Sequence, residues 1–527
     1  MTTAPAQVHR GEFVNEPLLD FSKPENRKAM QDALAKVKAE LGRDYPLIID
    51  GEEITTSDNL RSINPSNADQ VVGTFSKASA ELANRAIDSA HQAFDSWKRV
   101  PCQERAAIVF RAGGILRARK FEMSAWLCYE TGKTWPEADA DTAELIDFCE
   151  FYGREMLRLG GPQPVTPVPG EKNYLVYIPL GVGVVIPPWN FAAAIMGGMT
   201  LASLVTGNTV VLKPSSDSPA VARKFVEMLY EAGIPKKALQ FCPCPGGSVG
   251  DVLVAHPKTR YIAFTGSKEI GLRISELAAK TQPGQVWIKR TILEMGGKDG
   301  IIVDDEADLD AAVEGVAQAA FGYQGQKCSA CSRAIIGAKI YDEFVKKLVE
   351  RVKKFKVGPA DDPSNFMGPV INKSSMQTIL DYIEVGKKEG KLACGGGKVD
   401  VPGTNGFYLE PTVFIDIPPK SRLEQEEIFG PVLAVIKAKD YDHAMEIAND
   451  TEFGLTGAVY TKNPKKLERA AMDFHVGNLY LNRKCTGARV GGHPFGGFNM
   501  SGTDSKSGGR DYLLLFTQAK SIGEKVS

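Results

Sequence analysis

The sequence predicts an α/β fold in which parallel sheets are built in succession along the chain. From residue 174 onward, short runs rich in β-branched residues alternate with segments of helical spacing, and a second series of the same kind begins near Gly300. Such alternation implies right-handed βαβ crossovers and mostly parallel sheets. A chain of 527 residues is also too long for one simple core. Parallel sheets bind ligands at the carboxyl ends of their strands, so polar residues there are the first candidates for a site.

The region before the first series is mainly helical. Residues 1–44 are polar with helical spacing, and we interpret them as an N-terminal arm. Residues 45–54 predict a hairpin that turns at Asp50-Gly51. Over 81–97 apolar residues recur every three or four positions, which is typical of an amphipathic helix, and helical patterns continue over 103–160.

The first α/β series predicts strands at 182–186, 209–212, 239–242, 261–264 and 291–293, with helices at 191–205, 217–232, 247–255 and 268–280. Its uncharged run 181–205 is long enough to cross a bilayer. Prolines and glycines divide that run into a strand, a turn and a helix. This favours buried core over a membrane span.

The second series predicts strands at 301–303, 334–336 and 432–436, with helices at 308–321, 340–356 and 373–389. Residues 391–406 are rich in glycine and are predicted to be a loop. The apolar segment 512–516 is predicted to be a surface strand that pairs with a neighbouring subunit.

Charge and cysteine content restrict the function classes. The 63 basic and 64 acidic residues nearly cancel, so the net charge provides no field for a polyanion and disfavours a nucleic-acid partner. Nine cysteines, an odd and sparse number, disfavour a disulfide-stapled scaffold and favour a reducing compartment. The polar N-terminus lacks a signal pattern, and we expect a cytoplasmic protein.

Cys328 is the candidate nucleophile, although most cysteines are inert buried thiols. It lies in Gly325-Gln-Lys-Cys-Ser-Ala-Cys-Ser-Arg333, directly after the predicted helix 308–321. An exposed turn there can present the thiol, and Lys327 can favour the thiolate. Cys331 completes a C-x-x-C pattern, but a structural zinc site needs two more ligands, and Cys242-Pro-Cys244 lacks their usual spacing. No metal site is predicted.

Two further residues have both a chemical and a structural interpretation. Glu294 ends a predicted strand before two glycines, where a partly desolvated carboxylate can act as a general base. The alternative is an ordinary surface glutamate. Asn190 follows Ile186-Pro-Pro-Trp and precedes a predicted helix, so it is either an N-cap or an amide donor to an oxyanion.

Two strand ends suit a dinucleotide. Phe264-Thr-Gly-Ser267, with Gly271 further on, joins a predicted strand to a helix. Glycine allows close approach of a phosphate, and a helix N-terminus favours anions. Lys213 ends an earlier strand of the same series and could bond ribose hydroxyls, although a lysine there is usually solvated.

Seven motifs carry a resemblance to a known family. They are Ile186-Pro-Pro-Trp-Asn190, Leu212-Lys-Pro-Ser215, Phe264-Thr-Gly-Ser267, Leu293-Glu-Met-Gly-Gly-Lys298, Gly325-Gln-Lys-Cys328, Glu427-Ile-Phe-Gly-Pro431 and Pro494-Phe-Gly-Gly497. Their identity and order resemble the aldehyde dehydrogenase superfamily over roughly residues 45–525. The resemblance implies that Cys328 attacks the aldehyde while Asn190 and the Cys328 N–H hold the oxyanion. Hydride would pass to a nicotinamide, and Glu294 would activate water to hydrolyse the thioester.

The same resemblance implies the cofactor contacts. They are Ile186, Pro188, Trp189, Lys213, Ser215, Ser216, Gly246, Gly266, Ser267, Glu427 and Phe429. Family members often have a glutamate, which bonds the adenosine ribose, three residues after the lysine, where this chain has Ser216. The serine lacks the charge that would repel a 2′-phosphate. NAD is the expected cofactor, with NADP as the alternative.

Residues 482–497 suggest the substrate. They read Asn-Arg-Lys-Cys-Thr-Gly-Ala-Arg-Val-Gly-Gly-His-Pro-Phe-Gly-Gly and resemble the L-glutamate γ-semialdehyde (1-pyrroline-5-carboxylate) dehydrogenases of this superfamily, which complete proline oxidation to glutamate. The resemblance implies that the substrate is held by Ser329, Gly487, Ala488, Phe191, Phe495, Glu144 and Lys327. A glycine turn can form an anion nest, and a serine hydroxyl adds a donor. Alternatively, Ser329 simply packs and Glu144 is a solvated helix residue.

The resemblance also implies the domain organisation. A Rossmann-type NAD(P)-binding domain with the N-terminal arm would comprise residues 1–162 and 184–295. An α/β catalytic domain would comprise 296–502, and a small β oligomerisation arm 163–183 and 503–527. The expected partners are a small aldehyde and further copies of the chain, in a homodimer or a larger homo-oligomer.

Four alternatives remain at this point. A dehydrogenase for another semialdehyde, such as succinate semialdehyde, shares the catalytic residues and differs in the anchor. A CoA-acylating dehydrogenase needs no base for water, so Glu294 argues against it. A non-catalytic protein on this fold is the third. A thiol hydrolase needs a histidine base, and none of the six histidines lies beside Cys328 in sequence. Turnover without NAD(P) would identify that last class.

Overall fold

A computed structural model describes residues 11–526 and is organised around two seven-stranded sheets. In the first sheet the strands lie in the spatial order Arg290–Glu294, Thr259–Thr265, Val182–Ile186, Thr209–Leu212, Leu239–Phe241, Leu47–Ile49 and Glu52–Ile54. The first five pair in parallel, and the last two add antiparallel at one edge. All five predicted parallel strands are confirmed.

The predicted hairpin is confirmed at that edge. Asp50 and Gly51 both have positive φ, 59° and 79°, as a two-residue type I′ turn requires. The turn is held in place by Gln240, whose side-chain oxygen accepts the Asp50 N–H at 2.7 Å.

Helices cover both faces of the first sheet. Their bounds are Pro24–Lys38, Ala80–Trp97, Cys102–Ala118, Lys120–Thr131, Trp135–Leu159, Ala194–Val205, Pro219–Ala232, Asp251–Ala255 and Lys268–Ala279. Successive strand residues alternate between two cores: Val184 packs in the cluster of Ala83 and Leu253, and Val185 in that of Met199 and Leu204. The sheet is therefore buried on both sides.

The uncharged run 181–205 is divided as predicted. It forms the strand Val182–Ile186, a turn through Pro187 and Pro188, and the helix Ala194–Val205. No helix within residues 11–526 combines the length and apolar character needed to span a bilayer.

The predicted N-terminal arm is helical over only part of its length. Residues 11–23 run without a helix, and residues 1–10 lie outside the described part of the chain. The helix Pro24–Lys38 buries Met30, Leu34 and Val37. It is therefore an integral part of the core around the first sheet.

The second sheet has the strand order Lys391–Cys394, Thr412–Ile415, Val432–Ala438, Arg333–Gly337, Gly300–Val303, Thr456–Tyr460 and Asn478–Leu481. All neighbours are parallel except the first pair. Its helices are Leu309–Phe321, Tyr341–Val352, Lys373–Glu389, Arg422–Gln425, Tyr441–Asn449 and Pro464–Asp473. The three predicted strands and three predicted helices are confirmed, and helices and strands beyond them were missed.

The remaining elements are short. A three-stranded sheet has the order Arg43–Tyr45, Asn67–Ser76 and Asn59–Asn64, and Phe453–Gly454 pairs with Phe498–Asn499. Short 3₁₀ turns occur at Lys236–Ala238, Gly322–Gly325 and Tyr512–Phe516, and a wider π-helical turn at Gly246–Gly250.

Two predictions near the chain's later loops are wrong. The glycine-rich segment 391–406 begins with the edge strand Lys391–Cys394, which pairs only with Thr412–Ile415 and has an irregular register. The segment Tyr512–Phe516 is a helical turn rather than a surface strand, because Tyr512, Leu513 and Phe516 are all buried.

The terminal strand comes directly after that turn. Thr517–Lys525 pairs antiparallel with Glu171–Pro179 along its whole length, from Thr517 opposite Pro179 to Lys525 opposite Glu171. The second of these strands is half-exposed or exposed throughout, and the first is exposed over most of its length. These two strands are called the terminal ribbon below.

Candidate active site

A cavity of about 510 Å³ opens at the carboxyl ends of the first sheet's strands. Eleven residues expected to contact a cofactor line it: Ile186, Pro188, Trp189, Lys213, Ser215, Ser216, Gly246, Gly266, Ser267, Glu427 and Phe429. Asn190 and Cys328 line the same cavity. Residues that lie as far apart as 186 and 429 in sequence therefore share one space.

Some lining residues were not singled out from the sequence. Val254, Ile270, Arg273 and Ile274 are examples. Ile270 and Ile274 lie four residues apart on the helix Lys268–Ala279 and so share a face. The same spacing is typical of residues that face a core, so the sequence contains no signal that separates the two.

The donors around the cavity suit a dinucleotide. The Lys213 side chain is only 7% exposed, and within the described residues its ammonium donates only to the Pro214 carbonyl, at 3.4 Å. A buried ammonium gains from further partners such as ribose hydroxyls. Ser267 precedes the helix Lys268–Ala279, whose N-terminus therefore faces the cavity. A side chain on Gly246 would meet no atom within 4 Å, so the backbone there is open to a ligand.

The opposite wall comes from the second sheet's domain. The Glu427 carboxylate accepts the Gly297 N–H at 3.0 Å, and burial raises the pKa of Glu427 to about 7. Phe429 has a φ of 57° and meets Trp189 edge to face, with ring centroids 5.5 Å apart. The cavity is thus closed by contacts between the two parts of the chain.

Cys328 is half-buried and lines the cavity from the side of the second sheet. Burial, followed by the nearby carboxyls of Asp299, Glu427 and Glu294, raises the pKa of its thiol well above the usual value. The expected exposed turn is wrong, because residues 322–326 are all buried. Gly325 lies there at a φ of 67°, and a Cβ on it would come within 2.3 Å of the Gly430 carbonyl oxygen.

The expected effect of Lys327 on the thiol is also wrong. Its ammonium pairs with the Glu137 carboxylate at 2.7 Å. The strongest influences on the pKa of the Cys328 thiol are burial and the carboxyls of Asp299, Glu427 and Glu294, and Lys327 is not one of them. The sequence places the lysine next to the cysteine, but neighbouring side chains in a turn point in different directions.

Cys331, which completes the C-x-x-C pattern, is 1% exposed and donates its S–H to the Arg333 carbonyl at 3.5 Å. Within residues 11–526 no group of three or more His, Cys, Asp or Glu side chains is arranged to hold a metal. Cys331 instead packs in the core of the second sheet, in the same cluster as Ala319 and Ala320.

Glu294 ends its strand as predicted and is not a surface residue, since it is only 9% exposed. Its carboxylate accepts hydrogen bonds from the Ser505 hydroxyl and from the Gly497 N–H, the latter at 3.3 Å. Burial raises the pKa of Glu294 to about 8, although both hydrogen bonds lower it. This is the range in which a carboxylate is a useful base at neutral pH.

Asn190 is 3% exposed, and its side-chain amide donates to the Gln326 carbonyl at 3.0 Å. The N-cap interpretation is wrong, because the helix begins at Ala194 and its N-cap residue is Ala193. The amide instead joins the cavity wall to the segment that carries Cys328.

The residues expected to hold the substrate lie outside the lining of this cavity, in three groups. Ser329 is buried, and its carbonyl accepts the S–H of Cys485 at 3.3 Å, which joins it to the loop that carries Gly487 and Ala488. Gly487 has a φ of 80° and is exposed. Phe495, half-buried, exchanges backbone hydrogen bonds with Ser507 at 2.7 and 2.8 Å.

The other two groups of residues expected to hold the substrate include or adjoin charged side chains. The Lys133 ammonium lies 4.1 Å from the Phe191 ring centroid and pairs with Asp141 at 2.8 Å, with both charged side chains fully buried. Glu144, on the helix Trp135–Leu159, is half-buried. Burial, together with Asp141, raises its pKa to about 8, so the solvated-residue interpretation is wrong. Lys327 and Glu137 form the remaining pair.

Comparisons with known proteins show the family. The model of the aldehyde dehydrogenase family matches residues 53–522. The 1-pyrroline-5-carboxylate dehydrogenases of Geobacillus sp. (strain WCH70) and Bacillus subtilis (strain 168) are 58% and 54% identical to this chain, each over 97% of it and 99% of their own length.

Solved structures extend the likeness to the fold. The structure of 1-pyrroline-5-carboxylate dehydrogenase from Thermus with bound NAD has a TM-score of 0.96 and 48% identity, covering 98% of this chain and 99% of that one. Betaine aldehyde dehydrogenase from Staphylococcus aureus in complex with NAD+ has a TM-score of 0.88 and 30% identity, covering 95% of this chain and 98% of that one. The chain belongs to the aldehyde dehydrogenase family.

Proposed function

We propose that this protein oxidises L-glutamate γ-semialdehyde, which forms from 1-pyrroline-5-carboxylate, to L-glutamate with NAD, the second step of proline degradation. The observation that carries the proposal is the Cys328 thiol, which lines the same cavity as the eleven expected cofactor residues. The names of the relatives at 54–58% identity support this substrate.

NAD is the proposed cofactor because two relatives in the family have solved structures with NAD bound. Lys213 and Ser216 line the cavity and would meet the adenosine ribose, while Glu427 and Phe429 close the wall near Cys328. Bound NAD supplies the acceptor for the hydride that leaves the aldehyde carbon. Ser216 contributes no negative charge, so NADP is the cofactor to compare in an assay.

Cys328 is the proposed nucleophile. Because the pKa of its thiol is raised, the thiol is protonated at rest. As its sulfur bonds to the aldehyde carbon, the thiol proton passes to solvent water and the carbonyl electron pair moves to the oxygen, which becomes the oxyanion. Loss of a hydride from that carbon then leaves a thioester on Cys328.

Two donors are available for the oxyanion of the first adduct. The Cys328 backbone N–H donates no hydrogen bond to any atom of residues 11–526. The Asn190 amide uses one of its two N–H groups on Gln326, which leaves the other free to donate. Donors held in a buried site need little reorganisation, so they stabilise the developing charge well.

Glu294 is the proposed base for hydrolysis. It accepts a proton from water, the resulting hydroxide attacks the thioester carbon, and the carboxylic acid leaves while the Cys328 thiol is restored. A carboxylate with a pKa near 8 is strong enough for this role.

The substrate's own carboxylate and ammonium would be held outside the cofactor cavity. Ser329, Gly487 and Ala488 are proposed to bind the carboxylate, supported by the contact between Ser329 and Cys485. Phe191 and Phe495 would flank the aliphatic stem. Glu144 and Lys327 would have supporting roles around the ammonium and carboxylate.

The domain organisation and assembly are part of the proposal. The NAD-binding domain would comprise residues 1–162 and 184–295, the catalytic domain 296–502, and the oligomerisation arm 163–183 and 503–527. The exposed terminal ribbon supports a homodimer or larger homo-oligomer, since an isolated two-stranded sheet is only marginally stable. The nine free thiols support a cytoplasmic location.

The test is reduction of NAD and NADP by the purified protein with glutamate γ-semialdehyde, succinate semialdehyde and acetaldehyde. We expect glutamate γ-semialdehyde and NAD to be preferred, and Cys328→Ala to abolish turnover because it removes the nucleophile. A strong preference for another aldehyde would overturn the substrate proposal. Folded protein with reduced thiols that oxidises no aldehyde would overturn the proposed activity.

A further inference from the structure

The turn proposed to bind the substrate carboxylate is held from behind by one arginine. Nη2 of Arg483 donates to the carbonyls of both Thr486, at 2.9 Å, and Gly487, at 3.0 Å. Gly487 has a φ of 80°, so the chain reverses here in a conformation that favours glycine. Arg483 therefore closes the turn on its carbonyl side.

Those two bonds determine where the N–H groups point. In a planar trans peptide the C=O and N–H point in opposite directions. The Thr486 carbonyl shares its peptide with the Gly487 N–H, and the Gly487 carbonyl shares its peptide with the Ala488 N–H. Both N–H groups thus point away from Arg483, and neither donates a hydrogen bond to any atom of residues 11–526.

Arg483 is itself held in place. Its guanidinium lies over the Tyr480 ring, 4.3 Å from the centroid, and Nη1 lies 3.4 Å from His493 Nε2. Tyr480 is only 4% exposed, so it provides a fixed surface. A guanidinium stacked on an aromatic ring loses little freedom when its fork also binds carbonyls.

The positive charge of Arg483 adds to the effect of this geometry. A cation at the oxygen end of a peptide polarises it and makes the N–H end a better donor to an anion. Two neighbouring N–H groups on one side of a turn form an anion nest. We propose that Arg483 is a positioning residue that aims the N–H groups of Gly487 and Ala488 at the substrate carboxylate. This rests on the proposed function, since it requires a substrate with a carboxylate.

The test compares two arginines of the same loop. Arg483→Met removes the clamp, and Arg489→Met removes an equal charge from an exposed residue just beyond the turn. Each variant is assayed with glutamate γ-semialdehyde and with pentanal, which has the same carbon chain but neither the carboxylate nor the ammonium. For Arg483→Met we expect KM for the semialdehyde to rise about tenfold, the loss of one hydrogen bond to a charged group. Its kcat, and both constants for pentanal, should stay within about twofold.

Arg489→Met should leave all four constants at the wild-type values. Arg483→Lys should give an intermediate KM, because an ammonium keeps the charge but not the planar fork. An equal loss with pentanal, an equal effect of Arg489→Met, or an unchanged KM in Arg483→Met would overturn the role of Arg483. Failure of the wild type to oxidise the semialdehyde would instead overturn the proposed function and this role with it.

Discussion

The buried acids around Cys328 shape its chemistry. Asp299, Glu427 and Glu294 all raise the pKa of the thiol, and burial raises the pKa of each of these carboxyls in turn. Such a site disfavours a second negative charge, so a free thiolate is unfavourable at rest. The thiol proton and the proton taken up by Glu294 are therefore the two that govern the pH dependence of turnover.

Glu294→Gln should separate the two halves of the reaction. In the variant the amide oxygen can still accept the Gly497 N–H, and the amide NH2 can donate to the Ser505 hydroxyl, but the side chain cannot accept a proton, so the thioester forms and then persists. We expect a burst of NADH from a single turnover followed by a steady state slower by about 10²–10⁴-fold. In the wild type the steady-state rate should rise with pH through about 8, the pKa of Glu294, and in the variant this rise should be absent.

Rapid mixing with absorbance at the NADH band measures both phases. Glu276→Gln is the matched control, because the Glu276 side chain is 77% exposed. It should behave as the wild type. A Glu294→Gln variant that lacks the burst would contradict a role limited to hydrolysis.

At the scale of single residues, the sequence predicts which side chains can take part in the chemistry better than it predicts the directions in which they point. Asn190, Glu294 and Cys328 are identified by their motifs, and the structure brings Asn190 and Cys328 to one cavity. Lys327 is misjudged because its partner, Glu137, lies 190 positions away in sequence. The role of Arg483 depends on two carbonyl orientations that no residue pattern encodes.

At the scale of elements, the strands buried on both faces are the predictable ones. Val182–Ile186 and Thr209–Leu212 have the same bounds in the prediction and in the structure, because a continuous run of β-branched residues is typical of a strand buried on both faces. The edge strand Lys391–Cys394 is exposed or half-buried throughout, so burial leaves no pattern in it. The turn Tyr512–Phe516 is as apolar as a strand, and its place in the core is visible only from tertiary contacts such as those with Tyr152 and Tyr261.

The terminal ribbon makes a testable prediction at this scale. Deletion of residues 518–527 removes one of its two strands and leaves the edge of Glu171–Pro179 unpaired. Because the preceding turn is buried, the fold should persist while the proposed homo-oligomer dissociates. Sedimentation velocity should show a lower mass than for the full chain.

Deletion of residues 526–527 alone is the control, since it keeps the paired strand intact. It should sediment as the full chain does. A 518–527 deletion that keeps the full-length mass would exclude the terminal ribbon as the principal contact between subunits.

At the scale of the whole molecule, the site exists only where the two sheets' domains meet. The first contributes Lys213, Ser267 and Glu294, and the second contributes Cys328 and Glu427. The Asn190 amide bonded to Gln326 and the Trp189 ring packed edge to face against Phe429 cross this junction. The sequence predicts both sheets, but their contact depends on side chains far apart in the chain.

Burying this many acids has a cost to stability that depends on pH. Among residues 11–526, nine buried or half-buried carboxyls have raised pKa values. Six of them are Asp147, raised to about 6, Glu130 and Glu427, raised to about 7, and Glu144, Glu294 and Asp299, raised to about 8. The other three are Asp139, Asp217 and Asp361. Above their ordinary pKa values and below these raised ones, the native state binds more protons than the unfolded state. Stability therefore falls as pH rises through that window. Lys289 and Lys298, with pKa values lowered to about 8, act oppositely but only above that pH.

We therefore expect Tm to fall from pH 6 to pH 8 at constant ionic strength, as followed by scanning calorimetry. Asp299→Asn should flatten this slope, because an amide resembles the protonated carboxyl and cannot ionise, and one Asp299 oxygen is buried without a hydrogen-bond partner. Asp310→Asn, at a side chain that is 84% exposed, should keep the wild-type slope. A Tm that rises between pH 6 and pH 8 would mean that the native state holds these carboxyls ionised, and the general-base pKa proposed for Glu294 would fall with it.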